Sequence, residues 1–442
     1  MVGANPFVHR GPIRDPDYFY GRRHEIEQAL ALLRSAQSVS VIGPRRIGKS
    51  SLLFHLADPA VFKQYGFDPT HCCFIYIACE SWSHLPQTDL YALILQELEE
   101  ALARAGHTFD LNLPAAAATT YRTLEQAIRT VVGHQIQLFI VLDEFEALSV
   151  NPHLDVHFFS GLRGLATRHG VAFITASTEL LYDLTYIQAT VLSSPFFNFF
   201  AQIRLHPFSQ PEAKALLQEL AAKGGLEFSP TTIDFLYGLA GPHPFFVQVA
   251  GYHAFEARAR QAAPLDETDL EQVRQRFLVE AEPHWRYFWH KLMAQDQKSL
   301  AMLPVASPPE VKRLIEAGLV VREGDTFQPL SPAFRDFVDR QPMSSLLQAP
   351  PIILDSDRYL ALCRGRVLAL TPTEFTLLAY LIIHAGQVVS HRDLEAHVWP
   401  DESYVKDPER LKSTLKSLRR ALGSEAECIQ NVRGVGYRFN PT

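Results

Sequence analysis

The segment Gly43-Pro44-Arg45-Arg46-Ile47-Gly48-Lys49-Ser50 constrains the fold of this 442-residue chain more than any other. It matches the pattern G-x-x-x-x-G-K-S/T, directly follows the apolar run SVSVI and opens the helix-like run SSLLFHL. In such a loop the glycines let backbone N–H groups face phosphate oxygens at a helix N-terminus, where the helix dipole favours an anion. The sequence therefore predicts a strand, a phosphate-binding loop and a helix in succession.

Two side chains of this loop have chemistry suited to a nucleotide with its metal. Lys49 is expected to reach the β and γ phosphates, and the Ser50 hydroxyl is expected to ligate Mg²⁺. An ordinary glycine turn before a helix is the alternative interpretation. The residues assigned to nucleotide binding here are Gly43, Pro44, Arg45, Arg46, Ile47, Gly48, Lys49, Ser50 and Ser51.

A second strand, in the run LFIVLDEFEAL, ends in the carboxylates that nucleotide hydrolysis requires. Asp143 at the strand tip suits a Mg²⁺ ligand, and Glu144 suits the polarisation of water, with Lys49 as its catalytic partner. Both side chains lie where open α/β sheets bind their ligands. The alternative is that Glu144 and Glu146 only begin a solvated helix.

A third strand, VAFITAS, places short hydroxyl groups at the same edge of the sheet. Thr175 and Ser177 are candidates to bind the γ-phosphate or the attacking water, and the alternative is that they are ordinary turn residues. Within the loop, Arg45 and Arg46 are candidates to pair with a phosphate or an acidic neighbour, while Arg46 is alternatively a solvated charge.

The order of apolar runs predicts several domains. Five short strand-like runs alternate with helices over residues 1–209, which predicts a mostly parallel sheet covered on both faces. Residues 210–282 are purely helical, and residues 283–341 contain three helices followed by a two-stranded wing. A linker is expected at 342–351, and residues 352–442 repeat the order of strands, three helices and a wing.

Composition excludes several classes of protein. The net charge of -7 argues against a polybasic nucleic-acid or membrane binder, and no apolar run approaches the length of about 20 residues that a bilayer span needs. We therefore expect a cytoplasmic protein without a membrane partner. The 5 cysteines show no spacing typical of zinc or disulfide frameworks.

The last helix of the chain carries a basic surface. Leucines at 411, 415, 418 and 422 form one buried stripe, and residues 406–438 hold eight Lys or Arg against four Asp or Glu. Arg410, Lys412 and Lys416 are candidates for base edges or phosphates, Ser413 for bases or solvent, and Arg433 for a groove. Arg419 is a DNA candidate through backbone contacts, with a structural pair as its alternative. A solvated helix in a protein-binding domain is the other interpretation.

The first 340 residues resemble the signal-transducing STAND class of AAA+-related P-loop ATPases, especially its archaeal-type branch. The resemblance lies in FYGRRHE, GPRRIGKSSLL, VLDEFEAL, FITAS, LHPFSQPEA and GPHPFF. It implies that Gly21 and Arg22 lie near the adenine and Pro244 lies in a helical lid near the nucleotide. It also implies an ATP-driven switch that is locked by ADP and forms homo-oligomers with ATP.

Residues 352–440 resemble the OmpR/PhoB-type winged-helix effector domain, on the blocks LTPTEFTLLAYL, VVSHRDLEAHVW, LKSTLKSLRRALG and IQNVRGVGYRF. The resemblance implies that the third helix enters the major groove of double-stranded DNA. The expected fold is thus an α/β P-loop NTPase with a five-stranded, mostly parallel sheet and an α-helical lid, followed by two winged-helix domains.

Two functions are compatible with these features. The first is a slow ATPase that switches sequence-specific DNA binding and thereby regulates transcription. The second is an ATPase that acts in a DNA transaction or in anti-phage defence, as a loader, transposition or defence factor, and uses the winged helix as an anchor. ATP or ADP and Mg²⁺ are the expected cofactors in both.

Overall fold

A computed structural model of the full chain divides into two compact units. One unit comprises residues 1–237 and 242–270, and the other comprises residues 238–241 and 271–442. The structure describes all residues except 1, 2, 9, 110, 112–118, 187–195, 262, 304, 305, 307, 343–345, 357, 400–407 and 442. Part of the predicted linker, at 343–345, and the start of the predicted basic helix lie outside the described residues.

A five-stranded sheet forms the centre of the first unit. Its strands are β1 (Ser38–Ile42), β2 (Cys72–Ala78), β3 (Gln137–Asp143), β4 (Ala172–Ser177) and β5 (Phe200–Arg204). All four neighbouring pairs are parallel, and the strand order is β2-β3-β4-β1-β5. The predicted parallel sheet is therefore confirmed, and every strand ends at the same edge.

Helices cover both faces of this sheet, as buried parallel strands require. They are α1 (Arg23–Arg34), α2 (Lys49–Leu56), α3 (Pro59–Gln64), α4 (Gln87–Arg104), α5 (Tyr121–Gly133), α6 (Glu146–Ser149), α7 (Val156–His169) and α8 (Leu181–Tyr186). Apolar residues of α1 and α2 pack on one face, and those of α4, α5 and α7 pack on the other. The helices that follow are α9 (Gln210–Lys223), α10 (Pro230–Ala240) and α11 (Pro244–Arg258).

The N-terminal arm, residues 3–22 apart from residue 9, binds to α11 and α2. Asn5 donates a hydrogen bond to the Tyr252 carbonyl at 3.1 Å. The Phe7 ring is 3% exposed and packs beside Phe228 and Phe255. A Cβ on Gly251 would lie 2.2 Å from the Phe7 ring, so only glycine leaves room for it.

The larger segment of the second unit starts within α12 (Glu267–Lys291), which the sequence predicted as two helices separated near Pro283. Proline removes one helix hydrogen bond, but buried residues on both sides hold the helix in place. Phe277 and Trp285 are both at most 1% exposed, and Trp285 packs against Phe334. The predicted boundary at 282/283 therefore falls inside a continuous helix.

The internal winged helix takes the first of its three predicted helices from the C-terminal part of α12. It contains α13 (Ala294–Ala301), α14 (Pro308–Glu316), β6 (Val320–Glu323), β7 (Thr326–Pro329) and α15 (Pro332–Asp339). The two strands pair antiparallel and form the wing.

The C-terminal domain contains two antiparallel sheets and three helices. Its elements are β8 (Leu347–Ala349), β9 (Ile352–Asp355), β10 (Leu360–Cys363), β11 (Arg366–Leu368), α16 (Pro372–Ile383), β12 (Val388–Ser390), α17 (His391–Val398), α18 (Pro408–Leu422), β13 (Ile429–Val432) and β14 (Gly436–Phe439). The sheets have the orders β11-β10-β9-β8 and β12-β14-β13. The sequence missed β8, which lies in the predicted linker, and β12, which adds a third strand to the wing. Among the described helices none is long and apolar enough to cross a bilayer.

The N-terminal arm generates a prediction about stability. Phe7→Ala removes a buried ring, and such a change costs roughly 3 kcal/mol of unfolding free energy. We expect lower protection of the α11 amides in hydrogen exchange and a lower urea midpoint for the full chain. Val8→Ala is the control, because the Val8 side chain is 39% exposed. Equal behaviour of the two variants would show that the arm does not stabilise α11.

Candidate nucleotide and DNA sites

Glycines shape the loop that follows β1. Gly48 has a φ of 101°, in the left-handed region that side chains disfavour, and it precedes the first residue of α2. A Cβ on Gly43 would lie 3.0 Å from the Leu205 carbonyl oxygen. The loop therefore lies directly at the N-terminus of α2, in the strand-loop-helix arrangement predicted from the sequence.

Lys49 is the first residue of α2, and its side chain reaches back into this loop. Its ammonium donates hydrogen bonds to the carbonyl oxygens of Gly43 at 2.8 Å and Pro44 at 3.1 Å. Burial lowers the pKa of Lys49, whereas Glu146 and then Asp143 raise it. A part-buried ammonium whose hydrogen-bond partners are neutral carbonyls has the position and charge to bind an anion that replaces them.

The carboxylate of Asp143 is held at both oxygens. It lies at the end of β3, is 6% exposed, and accepts a hydrogen bond of 2.6 Å from the Tyr76 hydroxyl. Its other oxygen accepts one of 3.0 Å from the Glu144 N–H. Glu144 itself has a φ of 55°, which turns the chain away from the strand direction.

Acidic side chains cluster around the end of β3. Partial removal from water, followed by the neighbouring carboxylates of Glu80, Asp143 and Glu146, raises the pKa of Glu144 to about 7. Glu146 accepts hydrogen bonds from the Thr178 N–H at 3.3 Å and hydroxyl at 3.1 Å. Glu146 is thus tied to the segment after β4, whereas the sequence left it as a solvated helix residue.

The oxygen ligands near the loop, on Ser50 and Asp143, are suited to Mg²⁺ only when a nucleotide supplies further ligands. The described residues contain no cluster of three or more His, Cys, Asp or Glu that would hold a metal ion by itself. Magnesium prefers oxygen ligands in octahedral geometry and usually combines one or two protein ligands with substrate phosphates and water. The hydroxyl of Ser50 and the carboxylate of Asp143 are ligands of this kind, and the surrounding negative charge favours a cation.

The two hydroxyl residues of β4 differ in position. Ser177 is the last residue of the strand, and its carbonyl accepts a hydrogen bond of 3.2 Å from the Gly43 N–H. Its hydroxyl donates to the Glu179 carbonyl at 2.6 Å. Thr175 lies two residues earlier, pairs with Leu142 and is fully buried. Ser177 therefore lies beside the loop, whereas Thr175 lies inside the sheet.

Arg22 braces the loop from the segment before α1. It has a φ of 62° and is 6% exposed, and its guanidinium donates to the Ile47 carbonyl at 3.3 Å and to Glu25 at 3.2 Å. The guanidinium also lies 4.6 Å over the Phe208 ring. Gly21 has a φ of 72° and lies against the same ring. Arg22 thus contacts the phosphate loop at Ile47, and Gly21 lies against the ring that the Arg22 guanidinium covers.

Other loop and lid residues meet in the same unit. The Arg46 guanidinium lies 5.2 Å over the ring of Phe245, the second residue of α11, which begins with Pro244. Arg45 is exposed. The hydroxyl of Ser51 accepts a hydrogen bond of 3.0 Å from the N–H of Ile13 in the N-terminal arm.

The C-terminal helix α18 separates its apolar and basic faces as predicted. The four leucines at 411, 415, 418 and 422 are at most 1% exposed. The basic side chains on the other face are exposed, and Lys412 is paired with Glu409 at 2.8 Å. The exposed candidates for DNA on this helix are Arg410, Lys412, Ser413 and Lys416.

Two further arginines of this domain differ in their surroundings. Arg419 donates a hydrogen bond of 2.6 Å to the Ile429 carbonyl and lies 5.7 Å over the Tyr437 ring. These contacts tie Arg419 to the wing sheet, in agreement with the structural alternative. Arg433 is exposed in the turn between β13 and β14.

Sequence reasoning missed the residues that support Asp143 and Glu144. Tyr76 lies within β2 and belongs to no loop or strand-end motif, whereas Glu80 lies two residues beyond the end of that strand. In the sequence, Tyr76 interrupts an otherwise apolar run of seven residues, and a carboxylate, Glu80, follows the end of that run. The partner of Tyr76 could not be read because strand order is not encoded locally.

Comparison with known proteins identifies the larger part of the chain. Residues 26–307 match the family Novel STAND NTPase 2. A Walker-type ATPase of Pyrococcus abyssi superposes with a TM-score of 0.55 at 16% identity, covering 75% of this chain and 99% of that one. The ORC2 protein of Aeropyrum pernix superposes with a TM-score of 0.52 at 15% identity, covering 76% and 97%. These two likenesses concern the fold.

The C-terminal domain has relatives of its own. Residues 365–439 match the family Transcriptional regulatory protein, C terminal. The transcriptional regulatory protein BaeR of Escherichia coli O6:H1 is 42% identical over 92 residues, which are 20% of this chain and 38% of that protein. The PhoB protein of Escherichia coli K12 is 32% identical over 100 residues, which are 22% and 43%. The chain thus spans about two fifths of the length of these relatives.

Both resemblances predicted from the sequence, to STAND ATPases and to the OmpR/PhoB-type effector domain, are confirmed. The first match includes the phosphate loop, β3 and β4, and the second includes α18 and the wing. The chain belongs to the Novel STAND NTPase 2 family and joins that NTPase domain to a winged-helix DNA-binding domain of the transcriptional-regulator type.

Proposed function

We propose that this protein is an ATP-dependent molecular switch in which a slow ATPase controls sequence-specific binding of double-stranded DNA, and that it regulates transcription. The observation that carries the proposal is the union, in one chain, of a phosphate loop facing Asp143 with a winged helix whose basic face is exposed. The NTPase domain precedes the winged-helix domain of residues 352–442, which we call the DNA reader, and this order is compatible with control of the reader by the NTPase.

The chemistry of the NTPase site supports nucleotide binding with Mg²⁺. Lys49 would exchange its two carbonyl partners for β and γ phosphate oxygens, which are better ligands because they are charged. Ser50 and Asp143 would hold Mg²⁺, and that ion would neutralise charge that develops on the phosphates. Glu144, with its raised pKa, lies next to Asp143 and would orient the attacking water.

Ion pairs inside the second unit support a route from the internal winged helix to the DNA reader. Lys298 of α13 pairs at 3.0 Å with Asp355 of β9, a carboxylate with 0% exposure. Arg358 pairs with Glu310 of α14 at 2.6 Å. Because an unpaired buried carboxylate is costly, the first pair resists separation. Movement of the internal winged helix would therefore carry the reader with it.

Because the basic face of α18 is exposed, we propose that nucleotide controls where the reader is positioned and not whether its DNA-binding face is uncovered. Lys412 and Lys416 are exposed in the same unit in which β9 is held by α13. Because the basic face of α18 is already exposed, the reader does not have to dissociate from the internal winged helix before it binds DNA. ATP-dependent pairing of two copies would place two readers on neighbouring half-sites and so raise affinity and specificity together.

The first prediction concerns nucleotide control. We expect selection from a random DNA pool, with the full chain, to enrich one motif whose affinity differs at least tenfold between ATP and ADP, which corresponds to about 1.4 kcal/mol. Lys49→Ala should abolish this difference, because the loop loses its charge for the phosphates. Lys63→Ala, an exposed lysine of α3, is the matched control.

Two results would contradict the switch. Equal DNA affinity with ATP, ADP and no nucleotide would show that the NTPase does not control the reader. Binding without sequence preference, combined with hydrolysis that DNA stimulates, would favour a protein that acts in a DNA transaction and uses the winged helix as an anchor.

The second prediction concerns the reader itself. Lys416→Ala should weaken binding to the enriched DNA by about tenfold and lower the slope of affinity against salt by about one, as loss of one phosphate contact does. Fluorescence anisotropy at several salt concentrations measures both quantities. Lys312→Ala, an exposed lysine of α14, should leave them unchanged. An unchanged salt slope for Lys416→Ala would remove this residue from the DNA interface.

The third prediction concerns the ion pair that holds the reader. Lys298→Ala removes the ammonium that lies 3.0 Å from the buried Asp355 carboxylate and leaves the more distant Arg358, at 4.0 Å, as its ion-pair partner. Loss of one partner of a buried pair typically costs about 3–5 kcal/mol, and the remaining contact with Arg358 reduces that cost. We expect the reader to separate from the internal winged helix, so that DNA affinity is retained but its dependence on nucleotide is lost. Small-angle scattering checks the separation, and Lys312→Ala is again the control. Full nucleotide dependence in a separated variant would exclude this route.

A further inference from the structure

We propose that Tyr76 is a positioning residue of the NTPase, whose hydroxyl holds the Asp143 carboxylate in the orientation that binds Mg²⁺. This inference rests on the proposed function, in which Asp143 is a Mg²⁺ ligand. It assigns a role to a residue outside the phosphate loop and outside the segment that carries the acidic residues.

The register of the sheet brings Tyr76 and Asp143 together. On the neighbouring strands β2 and β3, Tyr76 pairs with Val141, and Asp143 lies two residues beyond Val141. Side chains two residues apart on a strand share one face, so Tyr76 and Asp143 point to the same side of the sheet. That side is also the side of α2, which packs on Val141 and Ala176 of the sheet.

The hydrogen bond leaves the carboxylate suited to a metal. The Tyr76 hydroxyl donates to Oδ2 of Asp143 at 2.6 Å, while Oδ1 accepts the Glu144 N–H at 3.0 Å. Each carboxylate oxygen has two lone pairs, so each retains one for a further ligand. With both oxygens held, the plane of the carboxylate is set before a metal ion arrives.

Stacking in turn limits the movement of Tyr76. The Phe54 ring of α2 stacks on the Tyr76 ring at a centroid distance of 4.5 Å and an interplanar angle of 16°. The guanidinium of Arg14, in the N-terminal arm, lies 4.4 Å over the same Phe54 ring. Phe54 is one helical turn beyond Ser50, the other proposed Mg²⁺ ligand. The stack therefore links the helix that carries one ligand to the residue that orients the other.

The protonation of Tyr76 suits a permanent donor. A phenol hydroxyl carries its proton at neutral pH, so Tyr76 donates to the Asp143 carboxylate without adding a negative charge. Loss of such an outer hydrogen bond typically lowers metal affinity by about 10- to 100-fold.

Tyr76→Phe tests the role, because it removes the hydroxyl and keeps the ring that stacks on Phe54. A fluorescent ATP analogue is bound to the full chain, first in EDTA and then in a titration with MgCl₂. We expect the affinity in EDTA to stay within about twofold, while the Mg²⁺ concentration that gives half of the metal-dependent gain in affinity rises about tenfold or more. A purely structural role would weaken binding equally in both conditions.

Tyr91→Phe is the matched control. Tyr91 is 4% exposed in the same unit, and its hydroxyl accepts a hydrogen bond from Gln87 at 2.7 Å. Loss of the Tyr91 hydroxyl should change neither the nucleotide affinity in EDTA nor the Mg²⁺ concentration that gives half of the metal-dependent gain. Phe54→Leu keeps the hydroxyl but removes the stack, and we expect a smaller rise in the Mg²⁺ requirement. A normal Mg²⁺ requirement in Tyr76→Phe would overturn the proposal.

Asp143→Asn separates failure of this proposal from failure of the proposed function. If Asp143→Asn loses the Mg²⁺-dependent gain while Tyr76→Phe keeps it, Asp143 binds the metal and Tyr76 does not position it. If the unaltered protein shows no Mg²⁺-dependent gain in nucleotide affinity, the assignment of Asp143 as a metal ligand fails, and the role of Tyr76 fails with it.

Discussion

The parallel pairing of β1, β3 and β4 is the constraint on which the NTPase site depends. Because the three strands run in the same direction as neighbours, Gly43, Asp143 and Ser177 reach one edge of the sheet. The hydrogen bond from the Gly43 N–H to the Ser177 carbonyl closes this edge around the start of the loop. The carboxylates of Glu146, Asp143 and Glu144 then influence the Lys49 ammonium electrostatically, through geometry that local sequence does not specify.

Charge balance at that edge explains the behaviour of its groups. The part-buried Lys49 ammonium lies in the field of the Arg45 guanidinium and of three carboxylates, those of Glu146, Asp143 and Glu144, so the negative charge is in excess. The excess contributes to the raised pKa of Glu144 and favours the entry of a cation. A phosphate chain alone would add to the repulsion, whereas a phosphate chain that carries a divalent cation would relieve it. The electrostatics thus favour a nucleotide and its metal together.

In the second unit, an ion pair holds the DNA reader while its basic helix stays exposed. Lys298 pairs with the fully buried Asp355 of β9, a strand of the four-stranded sheet. This ion pair involves no residue of α18. The basic face of α18 stays exposed, while Arg419 joins that helix to the wing by a hydrogen bond to Ile429. The ion pair of β9 and the exposed basic face of α18 therefore lie on separate elements of one small domain.

The sequence by itself determined the features that are local. Glycine spacing around Lys49, the apolar strands, the leucine stripe of α18 and the two family resemblances could all be read because each depends on neighbours along the chain. The tertiary structure alone decided the continuity of α12 through Pro283, where buried aromatic residues on both sides outweigh one lost hydrogen bond. It also decided the contact of Tyr76 with Asp143, since that pair is 67 residues apart and meets only through the register of β2 on β3. Patterns of local propensity carry no information on such register, because it is set by the packing of the whole sheet.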